Sequence, residues 1–156
     1  LVDCVAAAVE VARDAGVPPQ RVVLVGVSQG GAVVAEFLRR RPRRYGGAFV
    51  VSAALPGEGL DSTEVKAPEG TEVAEAAAHG GADADADGPL AGTPIALDSS
   101  EDDPYVPVER VRATARVFER AGAAVEPRID PGDGHGLSDA AIGRIGERID
   151  GLLGGG

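Results

Sequence analysis

The chain has 156 residues and a formal net charge of -10, from 25 acidic against 15 basic residues, which excludes the basic footprint that nucleic acids and anionic membrane surfaces require. Only 3% of residues are aromatic and Trp and Met are absent, so any core must be built from Val, Ala, Leu and Ile. A chain of this length can bury roughly two thirds of its unfolded surface, enough for one domain spanning residues 1–156.

Residues 2–15 place Val2, Val5, Val9 and Ala12 at helical spacing, and Gly16 with Pro18 stops the run. Leu1 already stands inside this helical pattern, so the natural start of the protein is expected upstream. Cys4 has no partner for an internal disulfide and reads as a small buried hydrophobe in a reducing compartment. No apolar run approaches the ~18 residues that span a bilayer, and no charged-then-apolar leader is seen. The expectation is a soluble, cytoplasmic protein.

The stretch 21–31, Arg-Val-Val-Leu-Val-Gly-Val-Ser-Gln-Gly-Gly, is an apolar strand running into a glycine-flanked serine. Gly26, Ser28 and Gly30 fit G-x-S-x-G, in which the serine occupies a sharp strand-to-helix turn with its hydroxyl exposed. Glycines on either side would let strand and helix approach closely. Ser28 would stand at a helix N-terminus, where free N–H groups favour a developing oxyanion. The helix itself, 29–41, carries Val33, Val34, Phe37 and Leu38 and ends in arginines before Pro42.

Residues 47–52 and 93–97 are short, continuously apolar segments of the kind found in buried parallel strands. Between them, residues 60–92 are rich in Ala, Asp, Glu and Gly and predict a flexible acidic loop, placed to act as a flap, with one helical turn near 73–78. Asp83, Asp85, Asp87 and Gly88 open like a calcium loop, but the twelfth position, which needs a bidentate Glu, is Pro94. No metal is therefore expected, and His79 reads as a solvated loop residue. Lys66 is the only lysine. The acidic excess has two readings: a halophilic surface kept soluble in strong salt, or the codon bias of a GC-rich genome.

Val108, Val111, Ala115 and Phe118 mark an amphipathic helix from about Pro107 to Gly122. A fourth strand follows over 124–129. Ser138 can then cap a last helix whose apolar stripe is Ile142, Ile145, Ile149 and Leu152. Alternating strands and helices imply an α/β fold with a parallel sheet of about four strands and helices on both faces.

Two loops at strand C-terminal ends carry the remaining chemistry: Glu101-Asp102-Asp103-Pro104-Tyr105-Val106-Pro107 and Gly132-Asp133-Gly134-His135-Gly136. An open parallel sheet gathers its site residues at that rim. The order serine, acid, histidine is that of the α/β-hydrolases. His135 has only His79 as a rival, whereas Asp98, Glu101, Asp102 and Asp103 all compete for the acid.

Through G-V-S-Q-G-G, D-P-Y-V-P and the G-H-G turn, the chain resembles the carboxylesterase/phospholipase family of α/β-hydrolases over almost its whole length. The resemblance implies the C-terminal half of that fold, with Ser28 as nucleophile, Asp103 as triad acid, His135 as general base and the Gln29 N–H in the oxyanion hole. Asp103 is favoured because Pro104 and Val106-Pro107 follow it as in the family motif. The resemblance implies hydrolysis of small carboxylic esters, lysophospholipids or acyl thioesters through an acyl-enzyme, without metal or organic cofactor.

The family's N-terminal strands and the His-Gly loop that supplies a second oxyanion donor have no counterpart in the sequence. An elbow strand lacking its neighbour would expose an edge, so aggregation or a homodimer through that edge is expected. The other readings are an inactive fragment or a noncatalytic domain that keeps the fold. Within enzymes the alternative is a relative of dienelactone hydrolase, which would call for cysteine at position 28.

Overall fold

The computed structural model describes residues 1–66, 88–132 and 134–155. Helices and strands alternate along it: α1 (Val2–Asp14), β1 (Val23–Val27), α2 (Gln29–Arg40), β2 (Gly47–Val51), β3 (Pro94–Ser100), α3 (Val108–Arg120), β4 (Ala124–Asp130) and α4 (Asp139–Leu153). The strands form one sheet in the order β1-β2-β3-β4, and every pairing is parallel. All four C-terminal ends therefore reach the same rim.

Side chains alternate across a strand, which divides the sheet into two unlike faces. On one face Leu24, Ala48, Val50, Ile95 and Leu97 join Val9 of α1, Phe37 and Leu38 of α2 and Phe118 of α3 in the buried core. Each large side chain sealed there contributes about 1.5–3 kcal/mol of transfer free energy. With so few aromatics, Phe37 and Tyr45 pack against each other with ring centroids 5.6 Å apart. Tyr45 donates its hydroxyl to the Arg41 carbonyl at 2.8 Å, where α2 ends.

The opposite face is covered by α4, and its contents differ from the expected apolar stripe. Ser138 caps this helix as predicted, its hydroxyl accepting from the Ala141 N–H at 3.2 Å. Yet Ile142 and Ile149 are exposed. Arg144 and Arg148 turn inward with Ala141 instead: Arg144 pairs with Asp98 of β3 and Arg148 donates to the Gly46 carbonyl at 2.6 Å. Polar anchors decide the rotation of α4, because Asp98 is 5% exposed and needs a cation more than the sheet needs another isoleucine. Between α4 and the sheet remains a cavity of about 320 Å³.

Three further expectations are corrected. β3 runs past Leu97 to Ser100, since Asp98 and Ser100 find partners and the ladder to β4 continues through Ser100↔Asp130. Cys4 is exposed on α1 rather than buried, because Val9 and the half-buried Val2 and Val5 supply the inward stripe. The two ends of the 60–92 stretch are anchored: Leu60 and Leu90 join the core, and the Leu90 N–H donates to the Ala121 carbonyl at 2.9 Å. The helical turn near 73–78, the Asp83, Asp85 and Asp87 run and His79 all lie outside the described residues. Among the described residues no helix is long and apolar enough to cross a membrane.

Candidate functional site

β1 ends at Val27 and α2 begins at Gln29, so the whole reversal falls on Ser28. Ser28 takes φ 54° and ψ -121°, a sparsely populated conformation that costs a non-glycine residue on the order of 1–3 kcal/mol. The Ser28 N–H is held by the Val51 carbonyl of β2 at 2.9 Å. Gly26 is needed for this turn: a Cβ there would stand 2.3 Å from the Gly30 carbonyl oxygen. Gly30 itself faces open space, and the second required glycine is Gly31, whose added Cβ would meet Ala53 at 2.6 Å.

β3 delivers the acidic loop and β4 the histidine turn to the same rim. His135 lies with Nε2 2.8 Å from the Ser28 Oγ and Nδ1 3.1 and 2.9 Å from Asp103 Oδ1 and Oδ2. Asp103 has no exposed side-chain surface, whereas His135 is 22% exposed. Burial pushes the Asp103 carboxyl upward, but hydrogen bonds from the Tyr105 N–H, His135 and the Val106 N–H outweigh it and hold its pKa below the usual aspartate value. The aspartate is charged, and its charge faces the imidazole.

The other acids lie elsewhere. Asp98 pairs with Arg144, Glu101 is exposed, and Asp102 accepts from Ser100 and from the Gly134 N–H. Gln29 lines the same cleft as Ser28 and is the first residue of α2, so its N–H is one of those for which a helix has no internal acceptor. Among the described residues no group of three or more His, Cys, Asp or Glu is placed to hold a metal ion.

A cleft of about 430 Å³ opens beside these groups, lined by Ala32, Ala53, Leu55, Pro56, Tyr105 and Val106 among others. Tyr105 sets its ring edge-on to His135 at 4.9 Å. Arg110 of α3 donates to the Leu55 carbonyl at 2.8 and 3.1 Å and to that of Gly57, fixing the cleft wall. Sequence reasoning gave no role to either residue. Tyr105 sits inside the D-P-Y-V-P run and was in plain view, while Arg110 has no local signal because its partners are 53 and 55 residues away.

The sequence pattern described as the prolyl oligopeptidase family matches residues 1–148. Among solved structures the chain is similar to a phospholipase/carboxylesterase from Dyadobacter fermentans, at 25% identity and a TM-score of 0.74 over 97% of this chain and 61% of that one. It is similar to SOBER1 from Arabidopsis thaliana, at 25% identity and 0.69 over 97% and 62%. A carboxylesterase from Mesorhizobium loti shares the fold at 20% identity and 0.65, over 96% and 59%. No curated protein matches the chain. The chain thus has the α/β-hydrolase fold of these neighbours and spans about three fifths of their length.

Proposed function

Since this chain belongs to the prolyl oligopeptidase family, we propose that it carries the catalytic residues of a serine hydrolase that cleaves carboxylic esters through an acyl-enzyme. The observation that carries this reading is the 2.8 Å approach of His135 Nε2 to the Ser28 Oγ, with Asp103 on the other ring nitrogen. Asp103 holds the proton on Nδ1, which leaves Nε2 to accept from the hydroxyl. As that proton moves to Nε2, the Ser28 Oγ attacks the ester carbonyl carbon and the oxygen gains negative charge beside the Gln29 N–H. The imidazolium then protonates the departing alcohol, and water, deprotonated by His135, releases the acid.

The apolar cleft supports a small-molecule substrate with an aliphatic acyl group. The neighbour named a phospholipase/carboxylesterase supports an ester substrate, and the sequence resemblance extends the proposed range to lysophospholipids and acyl thioesters. The family's own description favours a second substrate, a prolyl peptide. The Gln29 N–H is one oxyanion donor, and losing one such donor costs ~100- to 1000-fold in turnover.

The test is labelling by a fluorophosphonate, which should modify Ser28 and be abolished in Ser28→Ala. Hydrolysis of p-nitrophenyl acetate against a prolyl p-nitroanilide then separates ester from peptide. An unlabelled Ser28 favours the inactive or noncatalytic domain instead. We further propose a cytoplasmic, halophilic setting, on the lone cysteine and the net charge of -10; a melting temperature that does not rise with added KCl would reject the halophilic part.

A further inference from the structure

His135 sits in a glycine-rich turn. Gly132, Gly134 and Gly136 have φ of +86°, +63° and +141°, and among the described residues a Cβ added at any of them would meet nothing within 4 Å. Such a turn lacks the conformational restraint that side chains would give its backbone. The imidazole nevertheless has to keep two hydrogen bonds at once, and a displacement of about 1 Å can cost ~100-fold in rate.

Two side chains that hydrogen-bond neither Ser28 nor the imidazole grip the main chain on either side of the histidine. Before it, Asp102 Oδ1 accepts from the Gly134 N–H at 2.9 Å and is itself hydrogen-bonded by the Ser100 hydroxyl. After it, the Ser52 Oγ accepts from the Gly136 N–H at 2.9 Å and donates to the Gly136 carbonyl at 3.1 Å. Ser52 follows β2, is 2% exposed and has φ +46°. Its own N–H is fixed by the Asp98 carbonyl at 2.7 Å. Glycine would adopt this backbone with less strain, so the hydroxyl is the reason for a serine there.

We propose that Ser52 and Asp102 are positioning residues that clamp Gly136 and Gly134 and thereby hold His135 in line between Asp103 and Ser28. This inference rests on the serine hydrolase reading. It assigns the two adjacent aspartates different work: Asp103 faces the imidazole, and Asp102 faces the turn that carries it.

The test compares Ser52→Ala, Ser52→Gly, Asp102→Ala and Asp102→Asn in the full chain. Both Ser52 variants should lower kcat and the rate of Ser28 labelling by about 10- to 100-fold with KM within about threefold. Ser52→Gly should melt at or above Ser52→Ala, because it relieves the positive φ. Asp102→Ala should slow turnover similarly. Asp102→Asn keeps a carbonyl oxygen for the Gly134 N–H and should stay within about threefold of wild type.

Amide hydrogen exchange supplies a readout independent of turnover: Gly136 should exchange faster in both Ser52 variants, and Gly134 faster in Asp102→Ala. Wild-type turnover in Ser52→Gly, or unchanged exchange at Gly136, would overturn the clamp. A wild-type chain that is not labelled at all would instead overturn the serine hydrolase reading, and the exchange rates would still decide whether the clamp exists.

Discussion

Arg144 of α4 reaches the carboxylate of Asp98 in β3 and closes an ion pair on the face of the sheet away from the main core. The side chains are 20% and 6% exposed, and Asp98 Oδ2 and Arg144 Nε are buried without a hydrogen-bond partner among the described residues. Such a pair is expensive to break and inexpensive to replace, because removing one partner strands a charge while removing both removes the desolvation cost. Arg144→Ala should therefore destabilise by about 3 kcal/mol, whereas Asp98→Leu combined with Arg144→Leu should lie within about 1 kcal/mol of wild type. Urea unfolding of the two proteins checks this. Equal losses in both would mean that the pair contributes nothing beyond packing.

The elbow makes a second, sharper distinction between two glycines of one motif. A Cβ on Gly26 would lie 2.3 Å from backbone that cannot move without opening the Ser28 turn, while a Cβ on Gly30 would meet nothing within 4 Å among the described residues. Gly26→Ala should cost several kcal/mol, at least the ~1–3 kcal/mol typical of overpacking, and abolish labelling of Ser28. Gly30→Ala, in the first turn of α2, should leave stability unchanged or raise it by up to ~1 kcal/mol through helix propensity. Thermal melts of the pair decide it. A Gly26→Ala protein that melts with wild type would show that the turn can open without cost.

Much of this architecture was legible because its signals are local. Strands 47–52 and 124–129 and the four helices follow from runs of apolar residues, from Gly16, Pro42 and Gly122 as stops, and from Ser138 as a cap. The serine, the acid loop and the histidine turn were legible as well, since each follows a strand. Choosing among Asp98, Glu101, Asp102 and Asp103 needed the family motif, because neighbouring acids look alike until a partner is seen. The rotation of α4 was misread for the same reason. Ile142 and Ile149 fit a helical stripe, and only the position of Asp98, 46 residues from Arg144, reveals why arginine takes the inward face. Ser52 had no signal at all, since its partner Gly136 is 84 residues away.

Asp103 links the geometry to pH. Its folded pKa lies below the ordinary aspartate value near 3.8, with burial working in the opposite direction and the bonds from Tyr105, His135 and Val106 prevailing. The folded chain thus binds this proton less tightly than the unfolded chain. The stability it contributes is complete above about 3.8 and is lost as pH falls through the lower folded value. Asp103→Asn has no such titration. The melting-temperature gap between wild type and Asp103→Asn should narrow progressively below pH ~4. A gap that widens in acid would reverse the assigned sign.

Among the described residues β1 pairs only with β2, so its other edge presents unpaired N–H and C=O groups. Val25 on that strand is 44% exposed, on the face where Val23, Ile149, Leu152 and Leu153 line a cleft of about 270 Å³. An unpaired edge beside exposed apolar side chains is a template for strand addition. The 156-residue chain should therefore self-associate, and sedimentation velocity should show a dimer or larger species at micromolar concentration. Val25→Lys places a charge beside the edge without touching the core. It should weaken association by about tenfold or more, the equivalent of ~1.4 kcal/mol. A wild-type chain that sediments as a monomer throughout that range would remove the edge as an interaction site, and equal association by Val25→Lys would locate the contact elsewhere.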